Sequence, residues 1–278
     1  MILGSSGLLG NVLSMELNSY GYKVFKPLRK NNEKFLDFNK INNLIISEKI
    51  PTVINLMANT NVDYCEEYPE FAYLSNVKSL ENLIEIFDET RIHLIHISTD
   101  QIYYGEGPHS EENIYPCNVY GITKYLSEVI ADKVDSTILR TNFVGKSFLS
   151  KRPSFSDWIL NSIKNEKPIS LFNDIYFSPL SIIDLCRYID IVIKSSNRGI
   201  FNLGSRNSIS KANFGIELIK NLNLDNKMIS ICPSRKFERK AKRPNDMTMS
   251  VTKFEQAFDL ILPTIEETNK ALYREYKK

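Results

Sequence analysis

Three pairs of tyrosine and lysine stand four residues apart in the sequence, and such a pair can move a proton to or from a carbonyl oxygen. The pairs are Tyr22/Lys26, Tyr120/Lys124 and Tyr273/Lys277. Residues four apart are neighbours on a helix, at about 6 Å between Cβ atoms, but lie about 13 Å apart in a strand. Tyr120 and Lys124 open a predicted helix that follows a strand ending in polar residues, so we expect this pair to act together.

A tyrosine that gives or takes a proton near neutrality needs an unusual pKa. A free phenol titrates near pH 10, so a depression of about 3 units, or about 4 kcal/mol, is required. The ammonium of Lys124 and the positive ring of an oxidised nicotinamide could supply much of this depression. We therefore expect Lys124 to lower the pKa of Tyr120.

Three of the 11 glycines cluster in "GSSGLLG", as Gly4, Gly7 and Gly10. Between a first strand and a first helix, such a loop allows a tight turn and a close approach of the backbone to a pyrophosphate. The spacing differs from the common G-x-G-x-x-G of dinucleotide-binding proteins, and a purely structural turn is the alternative. Because so few residues precede Gly4, the first strand is short or begins upstream.

Arg29 and Lys30 stand about 20 residues past the glycine loop, where an acidic residue would accept a hydrogen bond from the ribose of NADH. A cation at this place favours the 2′-phosphate of NADPH. NADPH is therefore the expected cofactor, with NADH as the alternative. The competing interpretation of Arg29 and Lys30 is that they are plain surface charges.

The elements that must position these residues follow an α/β pattern. Helical segments alternate with β-rich runs at 22–27, 52–57, 91–98 and 136–141. This alternation predicts a Rossmann-type, doubly wound parallel sheet with a smaller, interleaved C-terminal substrate lobe. The expected division is an NAD(P)-binding domain of residues 1–145 plus 178–202 and a substrate-binding lobe of residues 146–177 plus 203–278.

The composition argues against several functions. A net charge of +2 over 278 residues predicts neither a nucleic-acid nor a membrane partner, since both need a concentrated basic face. The sequence has no apolar run near the roughly 20 residues of a membrane span and no secretory signal, so a cytoplasmic location is expected. The four cysteines never form C-x-x-C, and no metal site is expected. His93 and His96 point to opposite faces of a predicted strand, so we expect no joint chemical role.

Several segments, in order along the chain, resemble the extended short-chain dehydrogenase/reductase family: "GSSGLLG", "NLMANTNVDYCEEYPEFAYLSNV", "HISTD", "NVYGITK" and "LRTNFV". Within that family the resemblance is to dTDP-4-dehydrorhamnose reductases, and "FSPLSIIDL", "GIFNLG" and "RPNDMTMSVTKF" extend it over nearly the whole chain. The resemblance implies an oxidoreductase that uses NADPH to reduce a nucleotide-linked 4-keto-6-deoxy sugar for cell-surface polysaccharide synthesis. A nucleotide sugar is thus the expected ligand, and a homodimer is one assembly to expect.

The resemblance also assigns residues to roles. Tyr120 would protonate the carbonyl oxygen, Thr99 would hydrogen-bond it, and Lys124 would hold the nicotinamide ribose; these three form the implied catalytic set. The implied cofactor-binding residues are Gly4, Ser6, Gly7, Leu8, Leu9, Gly10, Arg29, Asp37, Phe38, Met57, Ala58, Asn59, Asn76, Tyr120 and Lys124. The implied substrate-binding residues are Thr99, Asp100, Gln101, Phe143, Trp158 and Arg243.

Departures from the family pattern leave the activity partly open. Dehydratases of the family carry an acid where this chain has Gln101, and an amide cannot transfer protons near neutrality, so dehydration is disfavoured. An epimerase stays open because it would use the same tyrosine and lysine, and so does a non-catalytic, NADP-binding regulatory subunit. Rhamnose reductases commonly have an aromatic residue at the position of Gln101 and Trp-Val-Tyr at the position of Phe143-Val144-Gly145. Both differences leave the identity of the sugar open.

Overall fold

The helices and strands are those of a computed structural model that describes residues 1–28, 36–87, 92–149, 152–225 and 227–277. The strands are β1 (Ile2–Leu3), β2 (Thr52–Asn55), β3 (His93–Thr99), β4 (Ser136–Thr141), β5 (Phe143–Val144), β6 (Ile169–Phe172), β7 (Tyr176–Phe177), β8 (Leu180–Ser181), β9 (Gly199–Leu203), β10 (Ile209–Ser210), β11 (Ile229–Cys232) and β12 (Asp246–Met247). The α-helices are α1 (Leu8–Ser19), α2 (Phe38–Glu48), α3 (Val62–Glu67), α4 (Pro69–Tyr73), α5 (Ser79–Ile84), α6 (Val119–Ala131), α7 (Phe155–Lys164), α8 (Ile182–Lys194), α9 (Lys211–Asn221), α10 (Thr252–Phe258) and α11 (Ile265–Lys277). Within these ranges, no helix has both the length and the apolar character needed to cross a membrane.

A parallel sheet with the strand order β1-β2-β3-β4-β9 forms the centre of the molecule. Successive residues of each strand face opposite sides, and both sides are apolar and buried. One side packs against α1 and α8 through Ile2, Ile54, Ile95 and Leu139. The other side packs toward α2 and α5 through Leu3, Val53, Leu94 and Ile138. The predicted α/β class, a doubly wound parallel sheet, is confirmed.

The predicted strand at 22–27 is wrong. The segment lies beside β1, where the Ile2 N–H donates to the Phe25 carbonyl at 2.9 Å, but it forms no regular strand. β1 is only two residues long, so it offers little backbone for a ladder on that side. Pro27 also lacks the N–H that a ladder needs.

Helix α6 begins where its sequence predicts. The Asn118 side chain accepts a hydrogen bond from the Gly121 N–H at 2.8 Å, which satisfies one of the free donors of the first turn. The helix therefore starts at Val119, and Tyr120 and Lys124 fall on neighbouring turns of one face.

A second group of strands lies outside the central sheet. β7 pairs with β10 and β12, β6 pairs with β11, and β5 pairs with β8. Their core includes Ile159, Leu171, Phe177, Phe214 and Met247. β6, β7, β10, β11 and β12 lie in the segments predicted for the lobe, on both sides of β9, whereas β5 and β8 lie in the segments predicted for the NAD(P)-binding domain. The domain boundaries given above stay a prediction.

Candidate active site

Two adjoining cavities open at the carboxyl ends of the central strands, where ligands bind in open parallel sheets. The outer cavity, of about 380 Å³, is lined by residues that include Ser6, Phe38, Met57, Phe71 and Ser79. The inner cavity, of about 920 Å³, is lined by residues that include Gly10, Thr99, Tyr120, Lys124, Thr141 and Phe143. The two share Gly4, Gly7, Leu56, Ala58, Asn59 and Arg152, and so form one continuous cleft.

The glycine loop has the backbone that a bound dinucleotide requires. Gly4 has a φ of +82°, a conformation that side chains disfavour. A Cβ on Gly10 would lie 2.4 Å from the Gly4 carbonyl oxygen, so only glycine lets α1 pack against the loop. Gly7 is the N-cap of α1 and has no side chain to cap the helix. The first N–H groups of α1 are therefore left for an anion. The loop thus fits the pyrophosphate of a dinucleotide.

Thr99, Tyr120 and Lys124 are all buried, and all three line the inner cavity. Burial raises the pKa of Tyr120, while its hydrogen bond with Thr99 acts in the opposite direction. This rise is the reverse of the direction expected from the sequence. The reason is that burial dominates, and Lys124 turns its Nζ to the Ile97 carbonyl at 2.7 Å. A phenol with a raised pKa is protonated at neutral pH, but it is a weaker acid than a free phenol.

Lys124 is held in a nearly dry environment. Burial lowers its pKa to about 8, and the charge of Glu128 opposes that shift. Glu128 forms a fully buried ion pair with Arg140 at 2.6 Å and also accepts a hydrogen bond from Ser98. Ser98 and Arg140 belong to β3 and β4, so this network fixes α6, and with it Tyr120 and Lys124, against the central sheet.

His96 lies directly behind Lys124, with its Nε2 3.4 Å from the lysine Nζ. The Asn55 Oδ1 accepts from the Met57 N–H at 3.1 Å, so its Nδ2 is the atom that donates to His96 Nδ1, also at 3.1 Å. The imidazole is therefore the Nε2–H tautomer and donates to Ser127 Oγ at 2.9 Å. Burial and the charge of Lys124 hold the pKa of His96 well below its usual range, so the ring is neutral.

Asp100 lies next to Thr99 and is fully buried. Its Oδ2 accepts a hydrogen bond from Asn142 Nδ2 at 2.6 Å, and its Oδ1 accepts one from Thr99 at 3.3 Å. Burial raises its pKa to about 6, while Asn142 and the charge of Lys211 oppose the shift. The Nζ of Lys211 lies 4.3 Å from the ring centre of Phe155, and burial lowers the pKa of this lysine to about 8.

A comparison with known proteins gives the chain a family. A protein-family model described as RmlD substrate binding domain matches residues 1–278, which is the whole chain. The chain belongs to this family. It is 26% identical over 287 residues to "Probable low-salt glycan biosynthesis reductase Agl14" of Haloferax volcanii, which covers 98% of this chain and 96% of the relative. It is 28% identical over 229 residues to the dTDP-4-dehydrorhamnose reductase of Salmonella typhimurium, which covers 77% of this chain and 76% of the relative.

A solved structure resembles this RmlD-family chain over its full length. The dTDP-4-dehydrorhamnose reductase of Bacillus anthracis, in complex with NADP, superposes with a TM-score of 0.88 at 24% sequence identity. The match covers 99% of this chain and 98% of that protein. At this identity the likeness shows the Rossmann-type fold.

Most cofactor residues expected for the RmlD-family chain lie along the cleft. The outer cavity is lined by Gly4, Ser6, Gly7, Phe38, Met57, Ala58 and Asn59, and the inner cavity by Leu8, Leu9 and Gly10. Asn76 lies behind the cleft, where its Oδ1 accepts from the Asn59 N–H at 2.7 Å and its Nδ2 donates to Thr123. Asp37 caps α2 instead of lining a cavity. Arg29 and Lys30 lie outside the described residues.

The expected substrate residues are less closely grouped. Phe143 lines the inner cavity beside Thr99, whereas Trp158 is 40% exposed and stacks on Phe155. Arg243 donates to Asp63 at 2.9 Å, and its Nη1 is buried without a partner among the described residues. Gln101 donates through Nε2 to Met247 Sδ at 2.8 Å, and its buried Oε1 also has no partner there. Of the expected substrate residues, the structure therefore brings Thr99 and Phe143 to the lining of the inner cavity, but not Asp100, Gln101, Trp158 or Arg243.

Five residues of the site were not expected from the sequence: His96, Thr141, Asn142, Arg152 and Lys211. Thr141 pairs with Thr99 in the sheet and points a buried, unpartnered Oγ1 at the inner cavity, as judged over the described residues. The register of two parallel strands that both end in polar residues could have indicated this pair. Arg152 and Lys211 carry no such signal, because they come from loops and helices of the lobe.

Proposed function

We propose that this chain uses NADPH to reduce a nucleotide-linked 4-keto-6-deoxy sugar to its alcohol, as a step in the synthesis of a cell-surface polysaccharide. The observation that carries the proposal is that Thr99, Tyr120 and Lys124 line one cavity together with the glycine loop. Membership of the RmlD family supports it, because relatives of the chain include a protein named dTDP-4-dehydrorhamnose reductase.

NADPH, when bound, supplies a hydride to the carbonyl carbon. Tyr120 gives the proton of its hydroxyl to the carbonyl oxygen, so that one C–H bond and one O–H bond replace the C=O π bond. Burial keeps the Tyr120 hydroxyl protonated at neutral pH, and its raised pKa also makes it a weaker acid, so a bound cation near it would favour the transfer. Thr99 holds the carbonyl oxygen beside Tyr120, and Lys124 binds the ribose hydroxyls of the cofactor through its ammonium.

NADPH is the proposed cofactor, with NADH as the alternative. The glycine loop accepts the pyrophosphate of either, so the choice depends on the 2′-phosphate. Replacing Arg29 and Lys30 by alanine should raise the KM for NADPH much more than the KM for NADH, because a cation favours the additional 2′-phosphate of NADPH. Equal effects on both cofactors would show that the two residues are solvated bystanders.

Other activities of the same fold are less well supported. Gln101 disfavours a dehydratase, because its amide transfers no proton and its Nε2 is already engaged by Met247. An epimerase would leave NADPH unconsumed over the whole reaction, and a regulatory subunit would bind the dinucleotide without turnover. Both therefore differ from a reductase in net cofactor oxidation.

The proposed location is the cytoplasm, and the proposed assembly is a homodimer. All four cysteines are free, as is usual in a reducing compartment. Helix α6 exposes Ile122, Leu126 and Val129 by 39% to 46%, and their spacing places them on one stripe. A second copy of the chain would bury this stripe. Light scattering of the wild type and of Leu126→Lys tests the dimer, which should dissociate in the variant.

The test of the function is NADPH oxidation with a panel of nucleotide-linked 4-keto-6-deoxy sugars. Wild-type protein should oxidise NADPH with at least one sugar and form its alcohol, whereas Tyr120→Phe should be slower by about 100-fold or more because the proton donor is lost. Tyr125→Phe, on the same helix, is the matched control and should keep its activity. Tight NADPH binding without turnover of any sugar would instead indicate the regulatory subunit.

A further inference from the structure

The loop between β5 and α7 brings a cation to the glycine loop. Arg152 lines both the outer and the inner cavity. A Cβ built on Gly7 would lie 3.7 Å from Arg152 Nη1, so the guanidinium lies just across the cleft from that residue. Gly7 is also the N-cap of α1, and the N-terminus of a helix carries partial positive charge. Two positive groups therefore face each other across the cleft.

Arg152 is exposed to solvent, and an anion placed between the two positive groups would be attracted by both. Among the described residues that line the two cavities, none is acidic. Over the same part of the chain Arg152 takes part in no ion pair, and its backbone N–H donates to the Leu149 carbonyl at 3.1 Å. The charge of Arg152 is thus left for a ligand.

We infer that Arg152 binds the pyrophosphate of the dinucleotide cofactor, opposite the glycine loop. A guanidinium presents several N–H donors in one plane and can bind two oxygens of a phosphate group at once. Lys124 is the other basic residue among the described lining residues, and its Nζ is held at the Ile97 carbonyl. The pyrophosphate would then lie between the N–H groups of α1 and the side chain of Arg152. The inference rests on the proposed function, because it takes that cofactor as the ligand.

Two other phosphates could reach an arginine in this cleft: the 2′-phosphate of NADPH and the diphosphate of the sugar nucleotide. The position opposite Gly7 favours the pyrophosphate, because the glycine loop is the part of the fold that contacts it. The three assignments differ in which ligand loses affinity when the side chain is removed.

The test measures by calorimetry the Kd values of NADPH, NADH, ADP-ribose and adenosine 2′-monophosphate. Arg152→Ala should weaken NADPH, NADH and ADP-ribose by a common factor of about 10 to 100, the range for losing a hydrogen bond to a charged group. Adenosine 2′-monophosphate, which has no pyrophosphate, should bind unchanged. Arg152→Lys should be intermediate, because it keeps the charge but not the planar fork. Lys146→Ala, in the same loop but outside both cavities, is the control and should bind like the wild type.

Three other results for the Arg152 variants would overturn the inference. Loss confined to NADPH and adenosine 2′-monophosphate would assign Arg152 to the 2′-phosphate. Unchanged cofactor binding with a raised KM for the sugar nucleotide would assign it to the substrate, and no change in either would make it a solvated loop residue. If the wild type binds NADPH but reduces no sugar, the proposed function is contradicted and the inference about Arg152 is not. If it binds neither NADPH nor NADH, the proposed function and the inference are both contradicted.

Discussion

Asn142 Nδ2 lies 2.6 Å from Asp100 Oδ2, and the two residues directly follow the paired Thr141 and Thr99 at the ends of neighbouring strands. The contact fixes a buried carboxylate beside Thr99, the proposed hydrogen-bond partner of the substrate carbonyl. An ionised carboxylate only accepts hydrogen bonds and so suits the hydroxyl groups of a sugar, an ability that falls when it is protonated. The pKa of Asp100, raised by burial to about 6, therefore places this change close to working pH.

We expect kcat/KM for the sugar to fall as the pH drops through about 6, and Asn142→Ala to move this fall to higher pH. The hydrogen bond from Asn142 favours the ionised form of Asp100, so its loss raises the pKa of Asp100 further. Asn142→Ser keeps a donor and should lie between the wild type and the alanine variant. Profiles of kcat/KM against pH check this. If kcat/KM fell at the same pH in all three proteins, the expectation would be contradicted.

Lys124→Met should abolish reduction and yet raise the free energy of unfolding at pH 7. Burial lowers the folded-state pKa of Lys124 from 10.5 to about 8, so the charged lysine destabilises the fold at all pH values below about 8. At about 1.4 kcal/mol per pKa unit, and after loss of the bond to the Ile97 carbonyl, the expected gain is about 1 to 3 kcal/mol.

The pH dependence separates this effect from ordinary repacking at position 124. Wild-type stability should rise between pH 8 and pH 10.5, where the unfolded chain binds the proton and the folded chain does not. The advantage of Lys124→Met should shrink over that window. Denaturant unfolding at several pH values measures it, and a gain independent of pH would argue against a buried charge.

The central sheet was predictable because its strands are buried on both faces and so appear as continuous apolar runs. β2 and β4 lie within predicted runs, and β3 extends one residue past its run, to Thr99. The run at 22–27 has similar composition, but it lies beside a two-residue strand that offers little pairing. Composition indicates whether side chains favour a strand. It does not indicate whether the neighbouring strand is long enough to form a ladder of backbone hydrogen bonds.

The site divides in the same way. The glycine loop and the Tyr120/Lys124 pair are local in sequence, so spacing on one loop and one helix was enough to predict them. No role was predicted for His96, because its position in a strand does not indicate which residues contact it. Its partners, Asn55 and Ser127, come from β2 and α6. Asn142, Arg152 and Lys211 reach the site only through the pairing of distant segments, which single-sequence patterns do not encode.

Variants of His96 should show how its hydrogen bonds hold Lys124. Glutamine can reproduce the Nε2–H donor to Ser127, whereas asparagine can reproduce only the Nδ1 acceptor for Asn55. Ser127 in turn donates to the Lys124 carbonyl at 2.6 Å, so the bond to Ser127 is the one that supports the helix turn carrying Lys124. We expect kcat/KM near the wild-type value for His96→Gln and about tenfold lower for His96→Asn, equal to about 1.4 kcal/mol.

His96→Leu is the control for a merely structural role. It removes the acceptor for Asn55 Nδ2 and the donor to Ser127 Oγ, and should lower the free energy of unfolding by about 1 to 3 kcal/mol. If rates in the three variants simply followed their melting temperatures, His96 would be a core residue and not one that positions Lys124. The titration of Lys124 should change kcat/KM near pH 8. A shift of that change in His96→Asn alone would support a role of His96 in positioning Lys124.

Arg243 is the residue whose predicted role the structure leaves most open to test. Its Nη2 donates to Asp63 at 2.9 Å, and its buried Nη1 has no partner over the described chain, which leaves a donor for a diphosphate. If Arg243 binds the substrate diphosphate, Arg243→Ala should raise the KM for the sugar nucleotide about tenfold or more, the loss of a charged hydrogen bond, with the NADPH Kd unchanged. Asp63→Asn should lower that KM, because the carboxylate no longer competes with the diphosphate for the guanidinium. The asparagine Oδ1 at position 63 can still accept from the Ala241 N–H, which limits the damage to the fold. If the ion pair were purely structural, both variants would be less stable and the KM for the sugar nucleotide would be unchanged in each. Steady-state kinetics and thermal unfolding together decide between the two roles.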